Sequence, residues 1–416
     1  MAPITANAAL PPLHTNAGVD LTPVGALSNG DIVGAPAVSA DGRYVVFASR
    51  ATNLTAEPST GKTQVYRRDV VTNTTTLISR SGPHVGNADS VAPEISDDGQ
   101  TIAYLSAASN LAVGSGGETQ QALIWSSSTG ESKLISSSWG VLHSSNAKID
   151  NVDLAGGGEY VVFQTRADDL IPTDLALTDI PRAYKWSEAG GVTLVAANFG
   201  LEVDSPSVSD DGRFVAFRSY MDHLLPDVEH SESTLSTDIY FRDTVMGSTQ
   251  RATVGPTAGF RLTAAPSISG NGQYVAYSGN RSIFGSAPDG NTESYLIFTF
   301  DRLSGATTNE TFDLPFRSYS AFLPSLSRDG SKLSFSVGTN LDLAGRPYKV
   351  QVFSRDRASR VTTLVSQSRI GEEGNANSEV SSMSADGRFV AFSSKATNLS
   401  PAGGVGRNQL LIRSLG

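Results

Sequence analysis

Seven times along its 416 residues the chain repeats a small-residue turn that runs straight into a short apolar strand. The copies are SADGRYVVF from Ser39, SDDGQTIAY from Ser96, AGGGEYVVF from Ala155, SDDGRFVAF from Ser209, SGNGQYVAY from Ser269, SRDGSKLSF from Ser327 and SADGRFVAF from Ser384. Successive copies start 54 to 60 residues apart. A recurrence at such a period means one supersecondary unit stacked many times. The spacing exceeds the ~40–45 residues of a WD blade, so extended loops are expected.

Within a unit, a Pro-containing segment such as GAPAVS reads as the innermost strand, and the Asp-Gly turn feeds a second strand with apolar alternation. TQVYRRDV from Thr63 and TTTLISRS from Thr74 supply a third and a fourth. One four-stranded antiparallel unit cannot bury both of its faces. Packing units face to face around an axis solves this and leaves only short protected edges. The expected fold is therefore all-β: a seven-bladed β-propeller over residues 18–416, preceded by an N-terminal arm, 1–17. The last unit ends at QLLIRSLG, after its third strand, so the segment from Val19 to Gly25 is expected to supply the missing fourth strand and tie the chain ends together.

Composition narrows the function. Charged residues make up 17% and the formal net charge is −10 with no basic run, which argues against a nucleic-acid partner. The absence of cysteine excludes disulfides, zinc–thiolate clusters and thiol nucleophiles. No apolar run reaches the length of a membrane span. The start, MAPITANAALPPLHTNAG, reads as the beginning of a mature secreted chain whose signal peptide has been removed. No dinucleotide fingerprint, phosphate loop, HExxH or G-x-S-x-G pattern occurs, so no cofactor and no metal are expected. A monomer is expected.

The S-x-D-G-x-x-[VIL]-x-[FY] units, several preceded by Pro (Pro36, Pro93, Pro206, Pro266, Pro324), resemble the TolB-like, WD-related propeller repeats along almost the whole chain. The resemblance implies a propeller. It leaves function open, because such rings serve as binding scaffolds, peptidase companions and polysaccharide lyases. The third unit lacks the Asp, and Ser381 replaces the Pro in the last.

Opposite the Asp-Gly turns, one face collects the loops from strand two to three and from blade to blade, and chemistry is expected there. Aligned on the turn, HVGNAD from His84, HSSNAK from His143 and EEGNAN from Glu372 share a register, with Asn87, Asn146 and Asn375 as loop caps. His84 is the first-choice general base, with His143 its counterpart. Tyr220 could protonate a leaving oxygen. Arg166 and Arg218 could pair with a carboxylate, and Lys148, Arg261, Arg317 and Tyr319 could add charge or stacking. Glu94 and Asp153 share one register of adjacent inner strands and could line the channel, where water-mediated packing is expected rather than a cation. A His, Tyr and Arg set suits β-elimination beside a uronic acid in a polysaccharide, in the manner of a rhamnose-glucuronate lyase. The alternative is a non-catalytic ring that binds a protein or glycan.

Overall fold

A computed structural model describes residues 10–57, 60–116, 119–141, 143–172, 180–195, 203–219, 237–253, 265–280, 295–314, 319–339, 349–400, 403–404 and 406–416, with the side chains of Asn280, Tyr319 and Thr339 outside that description. The chain forms seven four-stranded antiparallel sheets, the blades of a propeller. The inner strands begin at Ile32, Ser90, Ile149, Val203, Ser267, Tyr319 and Ser378. Among the described residues no helix is long and apolar enough to cross a membrane.

Second strands are buried almost end to end, as in Tyr44–Ser49, rather than alternating. Both faces of a blade are covered by neighbouring blades, so a run such as Val45, Val46, Phe47 and Ala48 loses all contact with water. The outermost strand Thr74–Leu77 is alternately exposed and covered, because it forms the ring's wall.

The turn motif repeats because its bonding is local. Ser39 Oγ donates to Asp41 Oδ1 at 2.8 Å while accepting from the Tyr44 amide at 2.9 Å, and Asp41 also accepts from the Arg43 amide at 2.9 Å. Gly42 takes the left-handed conformation that the turn requires, φ 76°. Asn271 does the work of the Asp in the fifth blade, accepting from Ser269 Oγ at 2.6 Å. In the third blade, Ala155 and Gly158 retain the backbone bond, at 2.8 Å, without the side-chain bonds.

In five blades the first residue of the second strand is aromatic and cushions the next blade. Tyr44 lies where a Cβ on Gly99 would have to go; Tyr160 does the same to Gly212, Phe214 to Gly272, Tyr274 to Gly330 and Phe389 to Gly42. Below the channel, backbone bonds pass from blade to blade. They run from Ala40 to Asp97 (2.9 Å), Asp97 to Gly156 (2.8 Å), Asp210 to Gly270 (2.9 Å), Asn271 to Arg328 (3.0 Å), Arg328 to Ala385 (2.8 Å) and Asp386 to Ala40 (3.4 Å), each amide donating to the named carbonyl. The Gly156 amide completes the belt through Asp210 Oδ1 at 3.2 Å.

The ring closes through the N-terminal chain, as expected, but with a different segment. Asn16–Gly18 pairs antiparallel with Gln409–Ser414, Ala17 opposite Ile412. The stretch from Val19 to Gly25 is instead a turn. Asp20 Oδ1 accepts the Leu410 amide at 2.9 Å, Asp20 Oδ2 accepts Ser28 Oγ at 2.7 Å, and Leu21 bridges back to Leu27. Thr-Pro-Val-Gly is turn chemistry, with Gly25 at φ 78°, and it outweighs the apolar character of the segment.

Candidate functional site

The loop-bearing face is built from clasps between the loop entering a blade and that blade's strand two to three loop. Asn87 donates its amide to Asn110 Oδ1 (3.0 Å) and Nδ2 to Ser109 Oγ (2.9 Å), while its Oδ1 accepts the Ser109 amide (3.0 Å). Asn375 repeats this with Asn398 and Thr397, and Asn29 with Asn53 and Thr52. Asn146 uses Asp168 and Asp169. The asparagines are therefore the loop caps expected from their shared register.

His84 lies in a miniature hairpin, Arg80–Ser81 against His84–Val85, and is exposed. The hairpin tip is tied to the outermost strand of blade two: Ser81 Oγ and the Gly82 amide both donate to the Glu131 carboxylate at 3.2 Å. That places His84 on the perimeter of the ring.

His143 and Lys148 lie on the loop entering blade three, and Arg166 on the strand two to three loop that it clasps. The His143 carbonyl accepts the Ser138 amide at 2.8 Å, and Trp139 donates its amide to the Asp169 carbonyl at 2.7 Å, so this loop is folded onto the segment that carries Arg166. Thr165 Oγ1 donates to the Lys148 carbonyl at 2.7 Å, which sets the two cationic residues side by side along the backbone. Lys148 Nζ lies 3.3 Å from Asp150, with both side chains well exposed.

Arg218 is paired with Asp204 directly across the strands of blade four and is only 17% exposed. Its charge is answered from inside the blade, beside a bulge where Ser205 takes φ 51° ahead of Pro206. Tyr220, Arg261 and Arg317 lie outside the described residues. The Tyr319 backbone opens the inner strand of blade six, Tyr319–Leu326.

Glu94 and Asp153 do face the central channel, in a cavity of about 150 Å³ that also meets Asp97, Asp210 and Arg328. Asp153 accepts the Val208 amide at 2.8 Å; Ser207, Ser267 and Ser325 bond the following blade in the same way, at 3.1–3.3 Å. The carboxylate thus takes a structural position that serine fills elsewhere. Glu94 has no hydrogen-bond donor among the described residues. Burial first, and then the neighbouring Asp153, push its carboxyl well above the usual range. At the lower mouth Arg328 bridges two blades, with Nη1 2.5 Å from Asp97 and Nε 2.6 Å from Asp210. Burial raises both of these carboxyls and Arg328 opposes the rise. The sequence offered one sign of this plug: Asp97, Asp210 and Arg328 all directly follow the repeat's first residue, where other blades carry Ala40, Gly156, Gly270 and Ala385. Among the described residues no three His, Asp or Glu side chains are grouped to hold a metal ion.

No family model and no curated protein matches the chain. Solved structures do. An oligogalacturonate lyase in complex with manganese aligns at 12% identity and TM-score 0.56, over 97% of this chain and 98% of its own. An oligogalacturonate lyase from Vibrio parahaemolyticus aligns at 12% identity and TM-score 0.58, with the same coverage. The β-propeller domain of the trilobed protease from Pyrococcus furiosus aligns at 11% identity and TM-score 0.56, over 94% of this chain and 97% of that domain. At such identities the likeness establishes the fold, which is the propeller that the repeats imply.

Proposed function

We propose that this propeller is a polysaccharide lyase that cleaves beside a uronic acid by β-elimination on its loop-bearing face. What supports the reading is that His143, Lys148 and Arg166 all lie on the two clasped loops of blade three. Its support from outside the chain is the whole-length likeness to two oligogalacturonate lyases. The uronate carboxylate would pair with Arg166 and Lys148, which stabilises the charge that develops as the C5 proton leaves. The His143 imidazole would accept that proton. The C4–C5 double bond forms as the C4–O bond breaks, and the leaving oxygen takes a proton, a role assigned to Tyr220. His84, on the perimeter, becomes the second choice as base. Acting on a polymer, the protein would work outside the cell.

A non-catalytic glycan- or protein-binding ring is the competing reading. The internal pairing of Arg218 with Asp204 and the outward position of His84 favour it. Incubation with polygalacturonate and with a rhamnose-glucuronate polymer, followed by the ultraviolet absorbance of the unsaturated product, separates the two. Elimination should occur with one of them, fall by at least about a hundredfold in His143→Phe, and show a raised KM in Arg166→Ala. Retention of both polymers without product would establish the binding ring instead.

A further inference from the structure

The junction between blades two and three departs from four of the other six. At four junctions a cation of the chain itself lies over the cushioning ring and donates to the carbonyl of the turn glycine. Arg67 sits 4.7 Å from the Tyr44 ring centroid and 2.7 Å from Gly99 O. Lys185 lies 5.4 Å from Tyr160 and 2.9 Å from Gly212 O. Arg302 lies 4.0 Å from Phe214 and 3.0 Å from Gly272 O. Arg357 lies 4.3 Å from Tyr274 and 2.6 Å from Gly330 O.

Between blades two and three neither part is present, as between blades six and seven, where Lys332 opens the second strand; here Lys133 lies 5.5 Å from the Trp186 ring instead. Thr101 stands where the ring should be, opening the strand Thr101–Ser106. Ile124 occupies the position of Arg67 and Lys185, and Glu188 that of Arg302 and Arg357. No described side chain donates to the Gly158 carbonyl. A groove of about 620 Å³ remains, walled by Trp125, Trp186 and Tyr160, which is within the ~300–1,000 Å³ range of ligand sites. Its rim carries Glu131, Glu159 and Glu188 against the lone Lys133, which is held by Glu188 at 2.7 Å. Glu159 is exposed and has no partner among the described residues.

We propose that this groove receives an arginine side chain from an extended segment of a partner protein. The guanidinium would take the place that Arg67, Lys185, Arg302 and Arg357 take at their own junctions. It would donate to the Gly158 carbonyl and the Glu159 carboxylate and lie against the aromatic wall. The space beyond one side chain suits the residues flanking that arginine. An aromatic wall alone would equally suit a sugar; the three carboxylates and the vacant carbonyl select a cation with several donors.

Titration of the full chain with a blocked tri-arginine peptide, followed by tryptophan fluorescence and calorimetry, tests this. Saturable binding is expected, weaker by about tenfold or more for the tri-citrulline peptide, which keeps the shape without the charge. Ile124→Arg should supply the missing cation internally, fill the groove and remove binding while the ring stays folded. Glu159→Gln, a surface change that spares the fold, should weaken binding severalfold and reduce its salt dependence. Equal binding of the citrulline peptide, undiminished binding by both variants, or saturation by neutral oligosaccharides alone would overturn the assignment.

Discussion

Asn16 is the point at which ring closure can be broken by one substitution. Its Nδ2 donates to the carbonyls of Gln367 (2.8 Å) and Leu399 (3.0 Å), and its Oδ1 accepts from Arg413 Nη1 at 3.1 Å. Arg413 is 3% exposed and its Nε has no acceptor in the structure. Burial lowers its pKa, yet a guanidinium in a protein stays charged. Asn16→Ala therefore leaves one carbonyl without this donor and takes an acceptor from a buried cation. Gln367 O keeps Arg413 at 3.0 Å. At ~1–3 kcal/mol for a buried unsatisfied group and ~1.5–3 for a bond to a charged one, with some relief from entering water, the loss should be about 2–5 kcal/mol. Urea unfolding followed by circular dichroism measures it as a lower midpoint at an unchanged slope. Asn375→Ala, which opens an exposed clasp on the loop-bearing face, should cost less than about 1 kcal/mol. If the two variants unfolded together, or Asn16→Ala matched the wild type, the claim that the closing strand holds the ring would be wrong.

Acid should help rather than harm the closure. Burial pushes the Asp20 carboxyl up to about 6, so between its unfolded value near ~4 and that value the folded chain binds more protons, and stability falls as pH rises through this window. The same direction at Glu94, Asp97, Asp153 and Asp210 reinforces it. Melting temperatures across the window should decline with pH, and Asp20→Asn should flatten the decline; a rise would refute the assignment. Gly99→Ala should cost more than about 2 kcal/mol, the left-handed backbone adding to the clash with Tyr44. Gly130→Ala, at a similar φ with open space around it, should cost only about 1 kcal/mol in the same denaturation assay.

Blade number and the inner turns were legible because the interactions behind them are local. Ser39, Asp41, Gly42 and Tyr44 bond within five residues of one another, so the chemistry of the turn is written in the repeat itself. Closure was legible as a count, one strand short at the C-terminus, but its place was not. Asn16–Gly18 has no apolar run, and its worth lies in partners nearly four hundred residues away, Arg413 among them. The same reason hid Arg218's pairing with Asp204, which depends on strand register beside a bulge, and the bridge from Arg328 to Asp97 and Asp210 across three blades. His84 and His143 share a sequence register and still part company, because Glu131 draws one hairpin to the outer wall while Asp169 holds the other loop on blade three.

A sevenfold chain carries its own controls, and they bear unequally on its two faces. On the turn-bearing face the backbone is nearly the same in every blade, so a substitution can be judged against six equivalents. Thr101, Ile124 and Glu188 stand out because Tyr44, Arg67 and Arg302 show what the same positions do elsewhere. The loops of the opposite face differ in length and sequence from blade to blade. His143 has one register counterpart, His84, and that one is held elsewhere, against Glu131. The roles of His143, Lys148 and Arg166 must be judged by chemistry. A base, two cations and a tyrosine at the corresponding strand end of the next blade make a case for elimination only if the unsaturated product appears, whereas the groove between blades two and three is already defined by what four of its counterparts contain.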